Sequence, residues 1–290
     1  MTQDNRGASV LSKDGGRIKK LIRIEQIKIL NYTPFRILLL LYVVFFTLGI
    51  VIYPLIDKEI PVISLSDLFR FPDVWSFMTW VTEPYNILLA LIIIMITTNE
   101  FSNHTFKTQV IFGLGRKELL SQKLILIFLL AVFATILVGI TTISLGLIYS
   151  YKLTFKIAVE SMWYMAVYFL SSISFMTFGL FFALTIKNTA LSILSFIALR
   201  SFVEPVLFLI LRKTEVRWFL PMRATSRLTP LPNLMEIFQS KMDSAEPIED
   251  TAMEILPKGL PIWQNVLLVL GYLSILIFFS YRIMNKKRLT

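Results

Sequence analysis

Six apolar blocks interrupt an otherwise polar and basic chain, and they leave few folds open. Most are long enough to cross the ~30 Å hydrocarbon core of a bilayer, which takes roughly 20 residues of helix. In lipid, only helices and closed barrels satisfy all their backbone polar groups. Continuous apolar runs without a strict period of two select helices over barrel strands. The blocks fall at 35–56, 78–98, 124–149, 157–186, 190–211 and 263–281. The reading is an all-α membrane protein with six transmembrane helices, spanning 35–290. The fourth block is longer than a crossing needs, which predicts tilt or extension beyond the bilayer.

Composition agrees. The chain is 56% hydrophobic and 17% charged, where a soluble domain carries about 25% charge. The net charge of +10 would suggest nucleic acid in a soluble protein. Here its distribution gives an orientation instead. Counting Arg36 with the N-terminal segment, one side of the six helices carries 17 basic and 5 acidic residues, and the other 11 and 12. Lys and Arg gather on the cytoplasmic side of membrane proteins. Both termini are therefore expected in the cytoplasm, and an even number of spans agrees. The basic, cysteine-free, multi-pass pattern leans to the bacterial plasma membrane.

Outside the spans, residues 1–16 read as a disordered cytoplasmic tail. Residues 17–34 read as an amphipathic interfacial helix, with Ile18, Leu21, Ile22 and Ile29 on one face. Residues 65–69 suit a short surface helix. The outer segment 212–262 holds six prolines, a short amphipathic turn at 233–240 and an acidic patch at 246–250. Its length and proline content predict a structured cap or re-entrant element.

Several chemistries have no residues to carry them. No GxxxxGK[ST] phosphate loop occurs, so ATP hydrolysis is not expected on this chain. The single histidine, His104, cannot build a His-rich metal site or a Ser/His/Asp triad. No catalytic, metal or cofactor residues are assigned. Inside the membrane, Arg200 lies near the middle of the fifth span, where an arginine costs on the order of 2.5–3.5 kcal/mol. Glu204, four residues on, shares its face. The two are expected to pair, with Pro205 freeing a carbonyl nearby. Glu83-Pro84 is expected to kink the second span near its outer end. The small and hydroxyl residues of the third and fourth spans point to close helix packing.

The polar loop 99–123, on the cytoplasmic side, carries a more specific signal. Glu100, Thr105, Arg116 and Lys123 follow the order in which ABC-2-type transporter permeases place an acid, a threonine, an arginine and a lysine between their second and third spans. His104 stands where that family usually has glycine, and Gly115 where serine is frequent. The chain resembles that family in layout too, with its interfacial helix, six spans and long segment before the last span. The resemblance implies a permease subunit of an ATP-driven exporter for a hydrophobic or amphipathic substrate. It implies ABC ATPase subunits as partners, docking on a loop that includes Glu100, Thr105, Phe106, Lys107, Arg116, Lys117 and Lys123. It also implies a second permease copy, in a homo- or heterodimer with the fifth span at or near the interface, and ATP and Mg held by the partner ATPase. Two other readings stay open. One is a secondary transporter that uses Arg200 and Glu204. The other is a membrane sensor, immunity factor or scaffold that binds a partner through 212–262.

Overall fold

A computed structural model gives the architecture. It describes residues 32–56, 68–103, 111, 115–150, 154–230 and 260–286, with side chains undescribed at 50–56 and 286. The expected tail 1–16, nearly all of the interfacial helix 17–34, His104, Thr105, Phe106, Lys107, most of 65–69, the turn at 233–240 and the acidic patch at 246–250 lie outside the described residues.

Every described element is helical. The order is α1 (Thr33–Ile56), α2 (Val74–Thr82), a 3-10 turn (Glu83–Tyr85), α3 (Asn86–Ser102), α4 (Arg116–Tyr149), α5 (Phe155–Glu160), α6 (Trp163–Ile186) and α7 (Thr189–Ala198). A π-turn (Leu199–Val203), α8 (Glu204–Ile210), a second 3-10 turn (Glu215–Phe219), α9 (Pro221–Ser226) and α10 (Ile262–Lys286) follow. Five stretches are long and apolar enough to cross a membrane: Val74–Ser102, Arg116–Tyr149, Phe155–Ile186, Thr189–Ile210 and Ile262–Asn285. In α1 the described apolar stretch is shorter, Thr33–Gly49.

Successive spans run in opposite directions, so the bundle has two ends. At the basal end Thr98 and Thr189 share a hydroxyl hydrogen bond of 2.8 Å, and the Lys187 ammonium stands 5.3 Å from the Phe101 ring centre. At the apical end the Trp75 indole donates to Ala158 O at 2.8 Å, and Phe71 N–H donates to Ser150 Oγ at 3.1 Å.

Of the boundaries that differ from the sequence reading, three have a clear local cause. The second span starts at Val74, not 78, because Val74, Trp75 and Phe77 are core residues and the polar side chains between them are satisfied locally. Ser76 donates to Asp73 O at 2.9 Å, and Thr79 to Trp75 O at 2.9 Å. Such back-bonding lets hydroxyls sit in an apolar helix without unmet donors. The third span starts at Arg116 rather than 124, since the Glu118 carboxylate accepts Gly115 N–H at 3.0 Å and fixes the first turn. The fourth is broken at Ser161–Met162 into α5 and α6.

Helix α6 is the hub on which α3, α4 and α10 pack. Its small residues Ser171, Ser172, Ser174, Thr177 and Gly179 are all buried. Gly179 is the closest approach: a Cβ there would sit 2.9 Å from Ala90 O and 3.3 Å from Ile94 Cγ1. Backbone cannot yield as a side chain can, so Gly179→Val is expected to push α3 and α6 apart and cost about 1–3 kcal/mol. A thermal melt of the detergent-purified variant, with Gly271→Val as control where a Cβ meets nothing within 4 Å, checks this. A polar network crosses the same core. Asn86 Oδ1 accepts from Ser172 Oγ at 3.0 Å and Tyr168 Oη at 3.3 Å, and Tyr168 in turn meets Tyr42 Oη at 3.3 Å. The α7–α8 span packs least: only 11% of its apolar window is buried, with Leu194, Phe202 and Leu209 facing outward.

Candidate functional site

Two charged clusters stand out, one at each end of the bundle. The basal one involves the loop residues that sequence reading singled out. Glu100 ends α3 and Lys123 lies two turns into α4, and their side chains meet at 2.6 Å with each only 2% exposed. Both belong to the expected docking loop, and they close on each other inside the protein. The reason is the early start of α4, which turns Lys123 from a loop residue into a helix residue facing α3. Arg116 Nη1 donates to Asn285 O at 2.8 Å and Met284 O at 3.3 Å. These are carbonyls at the C-terminal end of α10, where a cation meets the negative end of the helix dipole. Lys117 is exposed, its ammonium 5.5 Å from the Tyr281 ring centre.

The apical cluster is built around Arg200. By a rise of ~1.5 Å per residue it lies ~17 Å along its span from Thr189. It does not form the expected ion pair with Glu204. Arg200 Nη2 instead reaches Glu83 Oε2 at 3.0 Å and Oε1 at 3.2 Å, while Nη1 donates to Ser226 Oγ at 3.1 Å. The guanidinium also stacks 4.4 Å from the Phe175 ring centre. Glu83 is inside the bundle because the second span starts at Val74, nine residues before it. Locally, Pro205 has no N–H to give Ser201 O, and the helix widens into a π-turn just before it. Glu204 N–H then bonds Leu199 O, five residues back, and the i, i+4 register is lost.

Glu204 has a different task. Its carboxylate accepts Met222 N–H at 2.8 Å and Arg223 N–H at 2.7 Å. These are the first free donors of α9, because Pro221 opens that helix and has no N–H. Glu204 therefore caps α9 from a distance and anchors the apical segment to the fifth span.

That segment brings three further arginines together. The Arg223 guanidinium lies 3.5 Å from the Phe208 ring centre, Arg227 3.7 Å from that of Trp218, and Arg217 4.3 Å from the same indole. Burial first, then the neighbouring Arg223 and Arg217 charges, lowers the Arg227 pKa to about 10. Burial lowers that of Arg223 as well, although Glu204 opposes the shift. Between these groups and the start of α10 is a cavity of about 550 Å³, lined by Trp80, Arg200, Glu204, Arg223, Arg227 and Asn265 among others.

Thus Glu100 and Lys123 come together, Arg200 and Glu204 line one cavity without pairing directly, and Thr105, Phe106 and Lys107 are not described. Sequence reading missed Glu83, Ser226, Arg223, Arg227 and Asn265. A signal existed for Glu83 alone: a carboxylate in an apolar run needs a cation, and Arg200 was the one cation deep inside another span. The sequence matches no known family model and none of the curated proteins at a significant level.

Proposed function

We propose that the chain is the permease subunit of an ATP-driven ABC-2-type transporter in the plasma membrane, with both termini in the cytoplasm. It works as one of two permease copies, and separate ABC ATPase subunits dock on the basal segment and hold ATP and Mg. The cargo is hydrophobic or amphipathic and moves outward. The buried Glu100–Lys123 pair carries this reading. It ties the two helices flanking the segment at one point, and Arg116 ties the same base to α10. A push delivered between Ser102 and Arg116 then moves α3, α4 and α10 together, as a coupling element requires. The outward apolar face of α7–α8 suits lipid or a second copy.

An ion-gradient transporter built on Arg200 and Glu204 is less well supported. Both side chains already spend their polar atoms on fixed partners, whereas a relay needs groups that exchange them. The test is co-expression with an ABC ATPase from the same source, followed by pull-down and ATPase assay in bilayer discs. Lys117→Glu reverses an exposed charge at the docking face. It is expected to lower ATPase recovery or permease-stimulated hydrolysis at least tenfold while the protein still melts like wild type. Purification without any ATPase, or unchanged coupling in Lys117→Glu/Lys107→Glu, would overturn the proposal.

A further inference from the structure

The apical cavity has the chemistry of a binding site in its own right, whatever drives the protein. Three arginines line it, Arg200, Arg223 and Arg227, and Arg217 stacks on Trp218 beside Arg227, against two carboxylates, Glu204 in the lining and Glu83 behind Arg200. The surplus is two positive charges. Glu83 is engaged by Arg200, and Glu204 by backbone N–H groups. Among the described residues no carboxylate lies within ion-pair distance of Arg223 or Arg227. Among the same residues, Arg223 Nε and Arg227 Nη1 are buried donors with no hydrogen-bond partner. An unmade hydrogen bond at a buried charged group costs on the order of 1–3 kcal/mol or more, so a structure retains such donors where something else meets them. Guanidinium groups match oxyanions, phosphate above all, through paired N–H donors.

A second observation narrows the ligand. Asn265, only 2% exposed, lines the same cavity. Its Nδ2 donates to Leu260 O at 3.3 Å, which fixes the amide's orientation, and its buried Oδ1 has no donor among the described residues. The residues of the cavity wall thus carry surplus cationic donors and one unmet acceptor. A bare anion satisfies the first and not the second. A ligand with an anionic group and a nearby hydroxyl satisfies both, and about 550 Å³ holds one comfortably.

We propose that the apical cavity binds a hydroxylated phosphate ester, with the phosphate on Arg223 and Arg227 and a hydroxyl donating to Asn265. Such a group occurs on a soluble polyol phosphate and on a glycerol-type phospholipid headgroup. The full chain, purified in neutral detergent and stripped of lipid, is titrated with sn-glycerol 3-phosphate, inorganic phosphate, or chloride at equal ionic strength. The readouts are tryptophan fluorescence, since Trp80 lines the cavity and Trp218 stacks on Arg227, and the melting temperature. In parallel, the protein is placed in bilayer discs of phosphatidylglycerol or phosphatidylcholine.

A saturable response is expected to glycerol 3-phosphate and not to chloride, with affinity at least tenfold above that for inorganic phosphate. Confinement of the response to phosphatidylglycerol discs identifies the lipid as the source, and a response in detergent the soluble ester. Arg223→Gln/Arg227→Gln is expected to weaken either response at least tenfold, and Arg212→Gln/Lys213→Gln, an equal charge change on the exposed surface, to leave it unchanged. Should the double variant not fold, Asn265→Leu still decides: it is expected to erase the preference for the ester over inorganic phosphate. No saturable response to ester or phosphatidylglycerol overturns the proposal, as does an equal response in Arg223→Gln/Arg227→Gln or a preference unchanged by Asn265→Leu.

Discussion

Glu100→Ala is expected to destabilise the protein by about 3–5 kcal/mol, because it leaves the Lys123 ammonium buried with its carboxylate gone. Lys123→Ala is expected to cost a similar amount. The double variant distinguishes an ion pair from two unrelated core positions. Once one partner is absent, removing the other also removes a stranded charge, so Glu100→Ala/Lys123→Ala should cost clearly less than the two single losses added together. Chemical or thermal unfolding of the four proteins in one detergent gives the cycle. Equal, additive losses would mean that the 2.6 Å contact contributes no coupling. The same series bears on coupling to an ATPase. If the pair is the joint through which a push on the basal segment reaches α3 and α4, the double variant should fold yet transmit less of that push than wild type.

The sequence made the helical architecture legible because lipid leaves so few alternatives. A chain with blocks of this length and hydropathy has helices there, and the described spans fall on the expected blocks. Span ends were less legible, for a physical reason. Hydropathy reports where a helix is apolar, not where its hydrogen bonding begins. Val74–Thr82 looks mixed because Ser76, Thr79 and Thr82 are polar by composition, yet each returns its hydroxyl to a carbonyl of its own helix or the turn before it. Arg116–Lys123 looks like loop because it is charged, yet it is the first two turns of α4. The misplaced ends then carried over into the sites. By hydropathy Glu83 falls at a membrane edge, where an unpaired acid is unremarkable, and Lys123 in a loop, where a free cation is unremarkable. The i, i+4 rule that linked Arg200 to Glu204 assumed an unbroken α-helix, whereas Pro205 and the π-turn broke the register between them. Partners such as Glu83 and Ser226, 117 and 26 residues from Arg200, have no local signature in one sequence.

Arg200→Ala is the second large loss expected, and its pattern differs from the basal one. The substitution removes two hydrogen bonds to Glu83, the bond to Ser226 and the stacking on Phe175. It strands a carboxylate that is only 7% exposed. A cost of about 3–5 kcal/mol follows from the stranded charge, and loss of the stacked guanidinium adds to it. Arg200→Lys should be intermediate, since an ammonium keeps the charge but cannot serve both Glu83 oxygens and Ser226 from one planar fork. Glu83→Gln strands the arginine instead, yet leaves it Ser226 and the Phe175 face, so it should cost less than Arg200→Ala. Arg200→Met/Glu83→Leu, which removes both charges and refills their volume with apolar groups, should recover much of the loss. Melting of the detergent-purified variants fixes the order: wild type, then the apolar double variant and Arg200→Lys, then Glu83→Gln, then Arg200→Ala. If the order holds, the pair contributes little net stability and its role is to hold Ser226 and the arginine-rich segment around it against the second span. If Arg200→Ala melts like wild type, Glu83 and Arg200 are not paired, and the cavity above them loses its floor.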